Sequence, residues 1–228
     1  PEEVAEDVQT LKDSGVILTF ATRKDLYLWH VGSEKLMRQK ILEALKQYEE
    51  KYPYRYGMKK AEVQVTYLKK MKPVVFDHYV EYLEQEGALK RMEEYLCTAD
   101  YEVRKDTVYD RVSAKILDTV RKAGYDFARY SDIAFGEKDK AVADDILNIL
   151  LEEKRIVKVS DDLYTLTEYM EKAKTMIQEE LKKREVITTA EVRDLFQTSR
   201  KSAKPIIEYM DSIKVTKRVG AESERVAY

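Results

Sequence analysis

The sequence predicts a mainly α-helical protein with short β-hairpins, assembled from small similar domains. Three observations predict this. Only seven glycines and four prolines occur in 228 residues, too few for a turn-rich all-β chain. Apolar residues, 44% of the total beside 37% charged, recur with helical spacing over long stretches. One pattern also returns four times: an amphipathic helix ending in an aliphatic, then four residues to Gly or Lys, then a β-prone stretch.

Its copies are Leu11-Lys12-Asp13-Ser14-Gly15, Leu83-Glu84-Gln85-Glu86-Gly87, Leu150-Leu151-Glu152-Glu153-Lys154 and Met210-Asp211-Ser212-Ile213-Lys214. The anchors Leu11, Leu83, Leu150 and Met210 lie 72, 67 and 60 residues apart. A second element follows each anchor: Asp25-Leu26-Tyr27, Glu94-Tyr95-Leu96, Asp162-Leu163-Tyr164 and Ser223-Glu224-Arg225-Val226. Irregular spacing of this kind fits homologous small domains better than a tight solenoid.

Each element has a local reason. Before three anchors the apolar residues fall at i, i+3, i+4 and i+7, giving one buried stripe per helix. The stripes are Phe76, Tyr79, Val80, Leu83; Ala143, Ile146, Leu147, Leu150; and Ala203, Ile206, Ile207, Met210. Pro73 suits a first helical turn, and Gly87 suits the left-handed residue that stops a helix. Residues 88–92 and 95–98 then read as two strands joined by a charged turn. In the last copy, helices are expected over Glu168–Arg184 and from a capping box at Thr188/Glu191 to Phe196. Three helices and a two-stranded wing in 60–70 residues make the winged-helix pattern. The predicted divisions are 1–34 (a last helix and wing only), 35–102, 103–167 and 168–228. A helical array with irregular connectors is the alternative, disfavoured because the β-prone tail recurs after every anchor.

Several functions are excluded. The closest pair of glycines is 12 residues apart, so no Gly-rich phosphate loop is present. His30 and His78, the two histidines, have no ligand partner at metal-binding spacing, and Asp77–His78 reads as helix surface. No catalytic or metal site is expected, and the chain is not read as an enzyme. Cys97 alone permits no intramolecular disulfide and points to a reducing compartment. No window reaches 18 uncharged apolar residues, so no membrane partner is expected. No secretory signal is read at the N-terminus, and a chain opening on Pro1 reads as a fragment.

The net charge of −2 hides an uneven distribution. Residues 198–218 carry Arg200, Lys201, Lys204, Lys214, Lys217 and Arg218 against Glu208 and Asp211, a local balance of +4 on a body of −6. In a winged helix this stretch covers the third helix and the start of the wing, a basic face suited to nucleic acid. Thr198 and Ser199 stand at the helix start as hydroxyl and backbone N–H donors. Gly220 and Arg225 belong to the wing, Pro205 should kink the helix, and Tyr209 flanks the core or stacks on a base. The corresponding helices of the second and third copies carry His78, Glu81, Glu84, Glu86 and Asp144, Asp145, Glu152, Glu153. These read as solvated acidic faces of spacer domains.

The tract Thr188-Thr189-Ala190-Glu191-Val192-Arg193-Asp194 with Thr198-Ser199-Arg200-Lys201, then Ile206-Ile207-Glu208-Tyr209-Met210-Asp211 and Thr216-Lys217-Arg218-Val219-Gly220, resembles a known family. It is similar to the C-terminal winged-helix array of SelB, the bacterial selenocysteine-specific elongation factor. Residues 52–62, Tyr-Pro-Tyr-Arg-Tyr-Gly-Met-Lys-Lys-Ala-Glu, resemble an earlier winged helix of that array. The resemblance implies a monomeric, cytoplasmic fragment that tethers the factor to the selenocysteine insertion hairpin of mRNA for UGA recoding. Ribosome and selenocysteyl-tRNA would be partners through the full-length protein. No cofactor is implied for this chain; GTP would belong to a GTPase part outside it. The RNA-binding residues implied are Thr198, Ser199, Arg200, Lys201, Lys204, Lys217, Arg218, Gly220 and Arg225. A duplex-DNA-binding regulator and a protein-interaction scaffold are the rival readings.

Overall fold

The computed structural model describes residues 2–134, 136, 139–220 and 224–228. It forms two compact units, residues 1–104 and 105–228. In the first unit, helix α1 (Glu2–Asp13) leads into a hairpin of β1 (Ile17–Ala21) and β2 (Leu26–His30). Helix α2 (Val31–Lys51), strand β3 (Met58–Lys59), helices α3 (Lys60–Tyr67) and α4 (Pro73–Gln85), and strands β4 (Leu89–Met92) and β5 (Tyr95–Thr98) follow. The second unit repeats this order twice. Its first pass runs α5 (Thr107–Ala123), a short 3-10 turn (Gly124–Asp126), β6 (Ala128–Arg129), α6 (Tyr130–Ile133), α7 (Lys140–Glu152), β7 (Ile156–Ser160) and β8 (Leu163–Leu166). Its second runs α8 (Thr167–Lys183), β9 (Ile187–Thr188), α9 (Thr189–Leu195), α10 (Arg200–Ser212), β10 (Thr216–Arg218) and β11 (Glu224–Ala227). These are winged helices in tandem. No helix among the described residues is long and apolar enough to cross a membrane.

The four-fold pattern has a single physical cause. After each anchor the chain turns through a left-handed residue: Gly15 (φ 68°), Gly87 (φ 67°), Lys154 (φ 54°) and Lys214 (φ 57°). The next residue donates its N–H back to the anchor carbonyl. Val16 reaches Leu11, Ala88 reaches Leu83, Arg155 reaches Leu150 and Val215 reaches Met210, each at 2.9 Å. The left-handed residue itself donates to the residue after the anchor, which completes a Schellman stop. Orphan carbonyls at the helix end are thereby satisfied before the chain enters the wing.

All twelve residues of the three predicted stripes are buried. Each large aliphatic among them contributes about 1.5–3 kcal/mol relative to exposure. The first anchor differs: Leu11 is 41% exposed. The wings are also wider than two strands. Each full sheet has three, ordered β3-β5-β4, β6-β8-β7 and β9-β11-β10, with a two-residue strand ahead of the second helix as the outer member. That strand forces a close approach at Gly57, where a Cβ would stand 2.2 Å from the Leu96 carbonyl oxygen.

The core of the first unit gathers Ile41, Leu45, Phe76, Tyr79 and Leu83, and Phe20 of the β1–β2 hairpin joins it. In the second unit, Phe127 and Val159 of the first pass belong to the same core as Ile177, Val192, Phe196, Ile206 and Met210 of the second. That shared core sets the start of α10 against the 3-10 turn Gly124–Asp126.

Candidate nucleic-acid interface

The basic stretch begins where α9 ends. Gln197 takes a left-handed conformation (φ 48°), and Ser199 caps α10 by accepting the Ser202 N–H at 3.2 Å. The capping box expected for α9 is formed: Thr188 Oγ1 accepts the Glu191 N–H at 3.3 Å and Glu191 Oε2 accepts the Thr188 N–H at 2.7 Å. These bonds, with the Arg184 guanidinium, lower the pKa of Glu191.

At the start of α10 stands a carboxylate that sequence reasoning misses. Asp126 Oδ1 accepts the Thr198 hydroxyl at 2.6 Å and the Ser202 hydroxyl at 3.1 Å. A negative charge at a helix N-terminus is favourable, and here the preceding winged helix supplies it. The hydroxyls of Thr198 and Ser199 are therefore engaged within the protein. They shape the helix start instead of lying open to a ligand. The signal for Asp126 is a lone acid in a Gly-Tyr-Asp turn, 72 residues from Thr198, a separation over which local patterns say nothing.

Beyond that start the cations stand outward. Arg200, Lys201, Lys217 and Arg218 are exposed, and their side chains make no hydrogen bond or ion pair among the described residues. Lys204, also exposed, lies 3.7 Å from Glu208 on the same helix, a pairing worth little at the surface. Lys214 places its ammonium 5.9 Å from the centre of the Tyr228 ring. Gly220 has φ 56°, with Glu224 Oε2 3.3 Å from where a Cβ would be. The next residues, Ala221, Glu222 and Ser223, lie outside the described residues, so Ser223 of the fourth wing tetrad is not placed. Helix α10 continues through Pro205 as one helix, and Tyr209 is half-buried against the core, where burial raises its pKa.

Arg225 requires a correction. Expected on the wing as an RNA contact, it is 2% exposed. Its Nε donates to Asp211 Oδ2 at 2.7 Å, and the other Asp211 oxygen accepts the Thr216 hydroxyl at 2.6 Å. The β11 residue directly after Glu224 points inward, so its charge locks the wing to the end of α10. The acidic helices need a smaller correction. Asp145 is 8% exposed instead of solvated, Asp144 accepts a hydrogen bond from the Tyr130 hydroxyl, and Glu153 pairs with Lys105 at 2.9 Å. Their carboxylates are partly spent inside their own domain. His30 caps α2 by accepting the Gly32 N–H at 3.1 Å, and Asp77 pairs with Lys60 at 2.8 Å.

Residues 42–96 and 179–223 each match a family model described as "Elongation factor SelB, winged helix". These two segments are similar to winged helices of SelB. A curated relative, the selenocysteine-specific elongation factor of Desulfomicrobium baculatum, is 26% identical over 182 residues. The match covers 78% of this chain and 28% of that protein, so the chain spans under a third of the relative's length. Among solved structures, a bacterial selenocysteine-specific elongation factor, EF-Sec, superposes with a TM-score of 0.51 at 16% identity, over 92% of this chain and 32% of that one. The mRNA-binding domain of SelB from E. coli, solved in complex with SECIS RNA, gives a TM-score of 0.43 at 21% identity, over 51% of this chain and 96% of its own. By the two family models the chain resembles the winged-helix part of SelB, and the matched segment 179–223 spans the whole cationic stretch.

Proposed function

We propose that this chain is the RNA-binding, winged-helix portion of a selenocysteine-specific elongation factor. On this reading it tethers the factor to a selenocysteine insertion hairpin in mRNA so that UGA is recoded. One observation carries the reading: the segment matched as a SelB winged helix is the one whose Arg200, Lys201, Lys217 and Arg218 stand exposed and unpaired among the described residues. GTP hydrolysis, the ribosome and selenocysteyl-tRNA then belong to the remainder of the factor, and this chain contributes affinity and no chemistry.

The mechanism follows from the geometry of A-form RNA. Its deep major groove is too narrow for a helix, so α10 does not enter as a recognition helix enters DNA. Arg200 and Lys201, on the first turn of α10, and Lys204 one turn on hold phosphates beside the loop of the hairpin. Lys217 and Arg218 reach further phosphates from the edge strand β10. Asp126 fixes the start of α10 through Thr198 and Ser202, and so orients the first two cations.

Fluorescence anisotropy with a labelled insertion hairpin tests this. Arg200→Ala with Lys201→Ala should weaken binding at least tenfold and lower the slope of log K against log salt by about 1 for each phosphate no longer held. Unchanged affinity and slope would remove the assignment. A duplex DNA that outcompetes the hairpin would favour a DNA-binding regulator instead.

A further inference from the structure

The first unit has a basic surface of its own, at a place the acidic character of α4 conceals. Lys69, Lys70 and Lys72 lie in the turn between α3 and α4, the position that Phe196–Ser199 hold between α9 and α10. Beside them the β1–β2 turn presents Arg23 and Lys24. Lys72 ties the two elements together: its ammonium is 3.0 Å from Asp25 Oδ2 and 5.7 Å from the centre of the Tyr27 ring. Over residues 21–25 and 69–72 this face carries a balance of +4, equal to that of the C-terminal stretch. Arg23, Lys24, Lys69 and Lys70 are exposed and make no ion pair among the described residues.

The cations are interleaved with aromatic surface. A cleft of about 520 Å³ opens between β2 and the end of α3, lined by Tyr27, Trp29 and Tyr67 and rimmed by Lys69 and Lys70. A second, of about 620 Å³, lies on the other side of Lys72 with Arg23, Lys24 and His78 at its wall. Cations set around an aromatic recess are what a single strand requires: backbone charge is neutralised while an unstacked base finds a π-face. A duplex would keep its bases stacked and leave the recess unused.

We propose that this face is a second RNA-binding surface, on which Arg23, Lys24, Lys69 and Lys70 hold the backbone of a single-stranded segment and the cleft beside Trp29 and Tyr67 takes a base. It is independent of the last winged helix, and the two can bind separate stretches of RNA. An acidic protein surface is the competing occupant, and it would leave RNA binding unaffected.

The test removes the C-terminal cations first, so that its outcome does not depend on the hairpin reading. The full chain bearing Arg200→Ala and Lys201→Ala should still bind fluorescein-labelled oligouridine with a salt-dependent affinity. Adding Arg23→Ala, Lys24→Ala, Lys69→Ala and Lys70→Ala should weaken that binding by about tenfold or more and lower the salt slope by about 3, at roughly 0.7 for each single-strand phosphate. All four side chains are exposed, so the melting temperature should not move. Photo-crosslinking of thiouridine-substituted oligouridine should label peptides containing Tyr27, Trp29 or Tyr67. Absence of oligouridine binding by the first variant, an unchanged slope on adding the four substitutions, or crosslinks confined to residues 198–218 would each overturn the proposal.

Discussion

The winged helix from α2 to β5 and the one from α8 to β11 share one element order and distribute their charge in opposite ways. In the former the cations precede the third helix, at Lys69, Lys70 and Lys72, and the helix surface is acidic. In the latter the cations occupy the third helix itself, at Arg200, Lys201 and Lys204, and the turn before it is neutral and tied to Asp126. Their buried charges are also inverted. The earlier domain buries an acid, Glu34, which is 1% exposed and accepts from Arg38 Nε at 2.8 Å and the Tyr79 hydroxyl at 3.0 Å. The last domain buries a base, Arg225, on Asp211. A charged residue's job is thus set by what its neighbouring elements leave exposed. Two arginines of one domain stand in opposite settings, Arg200 exposed and Arg225 buried on Asp211.

Deleting each buried charge should have the largest effect. Glu34→Ala and Arg225→Ala should each destabilise the protein by about 3–5 kcal/mol, because the partner groups stay behind in a poorly solvated place. Urea unfolding followed by circular dichroism measures this. Arg200→Ala should leave the same curve where it was. If Arg225→Ala weakened RNA binding without shifting the unfolding midpoint, Arg225 would return to the interface and the distinction would fail. A smaller effect is expected at Asp126, where replacement by Ala removes two hydrogen bonds and should cost about 1–3 kcal/mol. The same change should lower RNA affinity, through a misplaced start of α10, more than the loss of a negative charge raises it.

Acid should act on the last domain in the same sense. Glu191 has a pKa lowered in the folded state by Thr188 and Arg184. Its contribution is therefore complete above the ordinary carboxylate range and is lost as the pH falls through the depressed folded value. Unfolding midpoints measured down through that range should fall less for Glu191→Gln than for the parent protein, since the variant has already forfeited the charge-dependent part.

How much of this is legible in the sequence depends on the range over which each feature is decided. The stripes, the Thr188 capping box, Pro73 at the first turn of α4 and the four helix stops are set within a few residues of chain, and the sequence shows them. The two-residue strands β3, β6 and β9 are too short to alternate, and they exist only because β5, β8 and β11 pair with them. Asp126, Arg225 and the face beside Lys69 depend on partners brought together by the fold. The charge sum over residues 198–218 counts Asp211 against the surface cations, although Asp211 is spent on Arg225. Helix α4 reads as acidic from its own residues, while three exposed lysines, Lys69, Lys70 and Lys72, lie just ahead of it. Charge counted along the chain finds a basic region, and only packing decides which of its members reach solvent.

The helix stops differ most finely between the two domains. Gly87 and Lys214 hold equivalent positions, with φ 67° and 57°, and make the same pair of backbone bonds. A Cβ at Gly87 would meet nothing within 4 Å, so the cost of Gly87→Ala is the left-handed backbone alone, about 1–2 kcal/mol. Lys214 already bears that cost, and Lys214→Gly should stabilise the last domain by about 1 kcal/mol, less the entropy that glycine adds to the unfolded chain. Lys214→Ala separates backbone from charge: it keeps the strained φ, loses the ammonium beside Tyr228, and should change stability little. If Lys214→Gly lowered RNA affinity while Lys214→Ala did not, the stiffness of the stop would matter to the wing. If both lowered it equally, the lysine would be present for its charge, and the last domain would have accepted a strained helix end in exchange for one more cation next to β10.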